Sequence, residues 1–160
     1  MSRVRSRKAD GRGRKTVFLV DRHALMRRVA ADGVNLCSAL AVCGMSGGVA
    51  DAFRSIKRLR PDVIVSEIMR PHDLGFIREL HRRHPRLPIL VFTIHDAAVY
   101  AARARAAGAS GYLMKDAGGG QLVRSIRAML RVRRRAARHG ATQQLAEQPQ
   151  RHAESAPATG

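Results

Sequence analysis

Short apolar runs alternate with longer segments of helical periodicity through the middle of the chain. Each run is about four residues long and apolar throughout, as expected for parallel strands that are covered on both faces. The helical segments place their apolar residues on one side, as Val49, Phe53 and Ile56 do in the second segment. The predicted strands are Val17–Val20, Leu40–Cys43, Val63–Val65, Ile89–Phe92 and Tyr112–Met114, and the predicted helices cover about 24–35, 48–59, 74–84, 96–107 and 119–137.

The regular alternation of strand and helix predicts right-handed crossovers and a parallel sheet. We expect an α/β fold of the doubly wound type, with five strands in the order 2-1-3-4-5 and helices on both faces. In such a sheet the functional crevice lies beyond the carboxyl ends of the strands. The residues that directly follow each strand are therefore the candidates for a functional site.

Charged and hydroxyl side chains follow four of the predicted strands. Asp21 and Arg22 follow the first strand, Glu67 the third, Thr93 the fourth and Lys115 the fifth. Carboxylates are ligands for Mg²⁺, while a hydroxyl and a Lys ammonium contact phosphate oxygens. The pattern indicates a site for a divalent cation and a phosphoryl group.

These stretches resemble the receiver (CheY-like) domains of two-component response regulators. The resemblance covers about 17–130 and rests on VFLVDRHALMRR, RPDVIVSEIMRP and LPILVFTIHDAAVYAARARAAGASGYLMKDA, in that order. The best fit is to receivers that normally precede a helix-turn-helix output domain. The resemblance implies a (βα)5 flavodoxin-like fold and a role in phosphorelay signal transduction and transcription regulation.

The resemblance also implies roles for individual residues. In the family, two adjacent acids after the first strand hold Mg²⁺, an Asp after the third strand accepts phosphate, and a hydroxyl and a Lys contact the phosphoryl group. Asp21 matches the first acid, Thr93 the hydroxyl, Lys115 the ammonium and Tyr112 the aromatic residue that switches orientation. Glu67 stands at the phosphoacceptor position.

Two positions depart from the family pattern. Arg22 replaces the second acid, which removes a metal ligand and adds a permanent cation. Glu67 is one methylene longer than Asp, and phosphoryl transfer depends strongly on positioning. We expect the Mg²⁺ site to be lost, with Arg22 bridging Asp21 and Glu67 through charge-assisted hydrogen bonds. The prediction is an atypical, stand-alone pseudo-receiver that needs no phosphorylation, holds no cofactor and is not an enzyme.

Two alternatives remain open. The first is a conventional Mg²⁺-dependent phosphoacceptor receiver of a phosphorelay that uses Glu67. The second is a nucleic-acid-associated transcriptional regulator that uses the Arg-rich ends of the chain. Structural roles also remain open: Glu67 as a paired acid, Thr93 and Lys115 as packing and hydrogen-bonding groups, and Tyr112 as part of the core.

Charge and composition define the ends of the predicted domain. The 160 residues carry a net charge of +18, concentrated towards both ends. Residues 1–15 are basic without apolar periodicity and residues 139–160 are rich in Ala, Gln and Pro, so both are predicted to be disordered tails around a receiver domain at 16–138. Because no aromatic residues interleave with the arginines, only weak, nonspecific nucleic-acid binding is expected. The histidines, His23 among them, show no ligand-like spacing, so no metal site is predicted.

The expected partner is a protein, either a kinase or an output protein. The resemblance implies docking on the face formed by the fourth helix, the fifth strand and the fifth helix, and a homodimer is a further expectation. No apolar run approaches the length of a membrane span, and the basic N-terminus lacks the apolar segment of a secretory signal. With Cys37 and Cys43 in apolar surroundings, these features predict a cytoplasmic protein with reduced thiols.

Overall fold

Five strands and five α-helices alternate through the part of the chain that the structure describes, as the sequence predicts. The structure, a computed structural model, describes residues 13–68 and 73–146, and side chains of the last helix as far as 137. The elements are β1 (Lys15–Val20), α1 (Ala24–Asn35), β2 (Leu40–Ser46), α2 (Val49–Leu59), β3 (Val63–Ser66), α3 (Leu74–Arg83), β4 (Ile89–Thr93), α4 (Ala97–Ala106), β5 (Gly111–Met114) and α5 (Gly118–Ala146).

The five strands form one parallel sheet in the order β2-β1-β3-β4-β5. This order confirms the predicted doubly wound α/β fold. The chain reverses its direction of winding between β1 and β3, so the crevice of the sheet lies beyond the carboxyl ends of these two strands. Asp21 and Glu67 follow directly after them.

Alternate residues of each strand pack into two separate hydrophobic clusters, one on each face of the sheet. In β1, Phe18 packs with residues of α2, α3 and α4, while Leu19 packs with residues of α1 and α5. The same alternation holds in β3, where Ile64 belongs to the first cluster and Val65 to the second. Strands that are apolar at every position are therefore explained by burial on both faces.

A glycine ends α4 and sets the start of β5. Gly108 follows the helix with φ of +105°, a conformation that side chains disfavour, and a Cβ at this position would collide with the ring of His81. Gly108 therefore allows the chain to leave α4 directly after the helix cap at Ala107. The chain then enters β5, which ends one residue before Lys115.

The ends of the chain differ from the prediction in part. The compact unit of the sheet runs to Leu130, a second unit begins at Arg131, and α5 continues as far as Ala146. The predicted tail at 139–160 therefore overlaps this helix over 139–146, where five of the eight residues are Ala, Gln or Leu, all good helix formers. At the other end, Lys15 already belongs to β1. The remainder of both predicted tails, 1–12 and 147–160, lies outside the described residues, as does the end of the RPDVIVSEIMRP motif at 69–72. Among the helices that the structure describes, none is both long and apolar enough to cross a bilayer.

Candidate functional site

Two carboxylates from neighbouring strands lie at the carboxyl edge of the sheet. The backbone N–H of Glu67 donates to the carbonyl of Val20 over 2.8 Å, and that of Asp21 donates to Ser46 over 3.1 Å, so both residues continue the strand pairing. Their side chains are 4% and 10% exposed. A crevice of about 250 Å³ opens beside them and reaches Gly47 and Gly48 before α2. The predicted meeting of Asp21 and Glu67 at one edge is confirmed.

The Lys115 ammonium joins the two carboxylates. Its Nζ lies 2.6 Å from Asp21 Oδ2 and 2.8 Å from Glu67 Oε1, and the side chain is only 5% exposed. Charge-assisted hydrogen bonds of this length between groups withdrawn from water are strong. One buried cation, placed directly after β5, therefore bonds to the carboxylates that follow β1 and β3.

The two carboxylates differ in acidity. Burial raises the pKa of Glu67, and the nearby Asp21 carboxylate raises it further, against the opposing attraction of Lys115. For Asp21, burial also acts to raise the pKa, but hydrogen bonds from Lys115 and from the backbone N–H of His23 contribute to holding it below its ordinary value. Asp21 is thus the stronger acid of the pair.

The predicted bridge by Arg22 is wrong. The Arg22 guanidinium donates to Asp73 Oδ1 over 3.3 Å, just before α3, and its side chain is about half exposed. The reason is a turn directly after β1, in which the His23 backbone N–H donates to Asp21 Oδ1 over 2.8 Å. This Asx-type turn brings His23 to the carboxylates, and Lys115 takes the bridging position that was assigned to Arg22.

His23 is the site residue that the sequence prediction missed. Its Nδ1 lies 3.5 Å from Asp21 Oδ1 and 3.5 Å from Glu67 Oε2. Among the residues that the structure describes, these three form a group whose ligand atoms all lie within 4.8 Å of one another. The signal in the sequence was its position two residues after Asp21, where a short turn returns the chain to the carboxylate.

A second missed residue, Arg27, stabilises the same turn. Its Nη1 donates to the backbone carbonyl of Asp21 over 2.5 Å and to that of Arg22 over 3.2 Å. Because these carbonyls lie at the strand end, outside regular pairing, a guanidinium one helical turn into α1 satisfies them. Arg27 therefore fixes the backbone that presents Asp21 and His23.

The hydroxyl groups of Thr93 and Tyr112 both donate to backbone carbonyls. The Thr93 hydroxyl is fully buried and donates to the carbonyl of Ile68 over 2.8 Å. The Tyr112 hydroxyl donates to the carbonyl of His95 over 3.0 Å, and burial raises its pKa. Thr93 thus secures the residue after Glu67, and Tyr112 secures the loop before α4. Their predicted roles as phosphate contact and switch stay predictions.

The chain belongs to the response regulator receiver domain family. The sequence model described as "Response regulator receiver domain" matches residues 17–127. The fold and the positions of Asp21, Glu67, Thr93 and Lys115 at the strand ends agree with this membership. The protein is therefore a receiver domain of two-component signalling, with a CheY-like fold.

The relatives of this chain include response regulators and a transcriptional activator. It is 37% identical over 113 residues to the "DNA-binding transcriptional activator DevR/DosR" of Mycobacterium tuberculosis, covering 69% of this chain and 52% of that protein. It is 31% identical over 117 residues to "Response regulator GacA" of Pseudomonas viridiflava, covering 69% of this chain and 53% of that one. The chain thus spans about half the length of the curated relatives it matches.

A solved response regulator shows the same likeness in three dimensions. The crystal structure of a LuxR-family two-component response regulator from Aurantimonas sp. SI85-9A1 matches with a TM-score of 0.68 and 28% identity, over 73% of this chain and 85% of that one.

The crevice departs at one ligand position from the Mg²⁺ site that the family implies. Mg²⁺ requires octahedral coordination by oxygen. Here Arg22 replaces one acid, and the Lys115 ammonium contacts one oxygen each of Asp21 and Glu67. The third potential ligand in the group is the imidazole of His23, which suits transition metals better than Mg²⁺.

Proposed function

We propose that this receiver domain works without accepting a phosphoryl group and transmits its signal through protein contacts. It needs no Mg²⁺ and catalyses no reaction. The carrying observation is Arg22 at the position of the second metal-ligating acid, where its guanidinium donates to Asp73 Oδ1 over 3.3 Å. Lys115 Nζ, at 2.6 Å from Asp21 and 2.8 Å from Glu67, is then the cation that contacts both carboxylates.

The two substitutions at the site support the same conclusion from chemistry. A phosphodonor must approach the acceptor carboxylate in line, and an added methylene in Glu67 displaces that carboxylate by roughly 1.5 Å. Arg22, turned to Asp73, supplies no oxygen for the metal that neutralises the transferring group. Positioning and metal, the two main contributions to phosphoryl transfer, are both impaired.

The surface proposed for the protein partner comprises α4, β5 and the first part of α5, up to Leu130. Val99 on α4 is 53% exposed, and Ile94, shortly before the helix, is 68% exposed. Both apolar side chains are therefore available to a protein partner at this surface. A kinase or an output protein is the proposed partner, and self-association through the same face is a variant of the proposal. Action without an attached output domain remains a prediction.

Beryllofluoride binding tests the proposal without a phosphodonor. This ion mimics a phosphoryl group on an acceptor carboxylate and binds receivers in the presence of Mg²⁺. We expect no bound ¹⁹F resonance with the full chain, and a bound resonance with the variant carrying both Arg22→Asp and Glu67→Asp. A Mg²⁺-dependent bound resonance on the unaltered chain, absent in Glu67→Gln, would overturn the proposal.

Nonspecific binding to nucleic acid is a second candidate function. The observation in its favour is the basic second unit, in which residues 131–137 are all exposed and include four arginines. Such a helix attracts phosphate backbones without reading sequence. Its salt-dependent test is given in the Discussion.

A further inference from the structure

The four oxygens of the Asp21 and Glu67 carboxylates have two different partners. Lys115 takes Asp21 Oδ2 and Glu67 Oε1. The other two oxygens, Asp21 Oδ1 and Glu67 Oε2, both lie 3.5 Å from His23 Nδ1. Two oxygens and one imidazole nitrogen therefore lie close together, and Lys115 bonds to neither of these two oxygens.

One of these oxygens, Glu67 Oε2, has the contact with His23 but no hydrogen bond among the described residues. Glu67 Oε2 is buried and accepts no hydrogen bond from the part of the chain that the structure describes, although the side chain is only 4% exposed. A buried carboxylate oxygen without a donor costs free energy unless a cation or a water satisfies it. The orphaned atom faces His23, whose imidazole is a metal ligand in its neutral form.

We propose that Asp21, His23 and Glu67 bind a Zn²⁺ ion through Oδ1, Nδ1 and Oε2. Zn²⁺ binds imidazole and carboxylate at about 2.0–2.2 Å, so tetrahedral ligand atoms are separated by about 3.3–3.5 Å. The two separations from His23 match this distance. The mixed nitrogen and oxygen ligand set selects Zn²⁺ over Mg²⁺.

The surroundings of the group are compatible with the ion. Arg22 is paired with Asp73, so its guanidinium is withdrawn from the carboxylates. Asp21 and Glu67 together carry one more negative charge than Lys115 neutralises. The His23 side chain is 55% exposed, which gives the ion a path of entry and leaves a fourth position for water. Lys115 is bonded to the other two oxygens, Asp21 Oδ2 and Glu67 Oε1, and so orients both carboxylates, as residues that contact metal ligands commonly do.

The test is a Zn²⁺ titration of the full chain against a chromophoric chelator, with Mg²⁺ in large excess. We expect stoichiometric Zn²⁺ binding that Mg²⁺ does not displace. His23→Asn and Glu67→Gln should each weaken binding at least about 10-fold, since even residues behind metal ligands contribute that much. The matched control is His81→Asn, an exposed histidine in the last turn of α3.

Substitution of the ion by Co²⁺ adds a second readout. Its visible spectrum should show four-coordinate binding in the unaltered chain and lose this signature in His23→Asn. Because His23 is more than half exposed, this variant should fold, and thermal unfolding checks that it does. Zn²⁺ affinity unchanged in both ligand variants, or lost equally in His81→Asn, would mean an adventitious ion only and overturn the proposal. No phosphodonor is present, so this result is independent of the proposed function.

Discussion

The ammonium of Lys115 lies 2.6 Å from Asp21 Oδ2, although 94 positions separate the two residues along the chain. The sheet order places β5 at one edge, with β4 and β3 between it and β1, and the side chains of Lys115 and Asp21 meet beyond the carboxyl ends of the strands. This contact, with its counterpart to Glu67, joins the first, third and fifth strands at the functional crevice. It also supplies a countercharge to the two buried acids.

Removing this ammonium should destabilise the fold. Lys115→Ala leaves two carboxylates buried beside each other without a countercharge, and loss of one partner from a buried ion pair costs about 3 kcal/mol. Urea unfolding should show this decrease in the free energy of unfolding. Lys57→Ala, at an exposed position of α2, is the control and should change stability by less than about 0.5 kcal/mol. Equal stability of both variants would show that the Lys115 contacts contribute nothing.

Asp62 should give the stability a dependence on acid pH. Burial raises the pKa of Asp62, but hydrogen bonds from Thr16 and Lys15 outweigh burial and hold it below its ordinary value of 3.8. The folded state therefore binds this proton more weakly than the unfolded state. The stabilisation is present above about pH 4 and is lost as the pH falls through the folded pKa.

The measurement compares unfolding of the unaltered chain with Asp62→Asn at several pH values. At neutral pH the variant should be less stable by about 1–2 kcal/mol, because hydrogen bonds to a charged group are lost. The difference should shrink as the pH falls below 4. Asp51→Asn, in which the affected side chain is 55% exposed, should show a small difference throughout. A difference for Asp62→Asn that stays constant down to low pH would contradict this assignment.

Nucleic-acid binding should depend on the arginines of the second unit. Binding to duplex DNA releases counterions, so affinity falls with salt in proportion to the number of phosphate contacts. Loss of four contacting arginines should lower the magnitude of the slope of log K against log salt by up to about 3.6. The variant replaces Arg131, Arg133, Arg134 and Arg135 by Gln.

A control with the same loss of charge separates a local contact from general attraction. It replaces four exposed basic residues in and after α2 by Gln: Arg54, Lys57, Arg58 and Arg60. Fluorescence anisotropy at rising salt measures both variants. If the control lowers the slope as much as the first variant, the second unit has no special role in binding.

Much of the fold could be predicted from the sequence, because burial of the strands determines where apolar residues occur along the chain. Strands covered on both faces must be apolar throughout, so the runs at Val17–Val20 and Val63–Val65 predict strands, and the alternation with helices predicts the sheet. The strand ends then place Asp21, Glu67 and Lys115 together without further information.

The contacts within the site were harder to predict. Both Arg22 and Lys115 carry the charge that would bridge the carboxylates, and the choice between them depends on the turn after β1. That turn is set by local hydrogen bonds of Asp21 and Arg27, which no periodicity encodes. The same turn brings His23 to the crevice, so a single local feature accounts for both the wrong bridge and the missed ligand.

The most direct test of the proposed function is the intact mass of the full chain after incubation with acetyl phosphate and Mg²⁺. The unaltered chain should gain no phosphoryl group, whereas the variant with Arg22→Asp and Glu67→Asp, which restores both family acids, should gain one. A phosphoryl adduct on the unaltered chain that requires Mg²⁺ and disappears in Glu67→Gln would contradict the account.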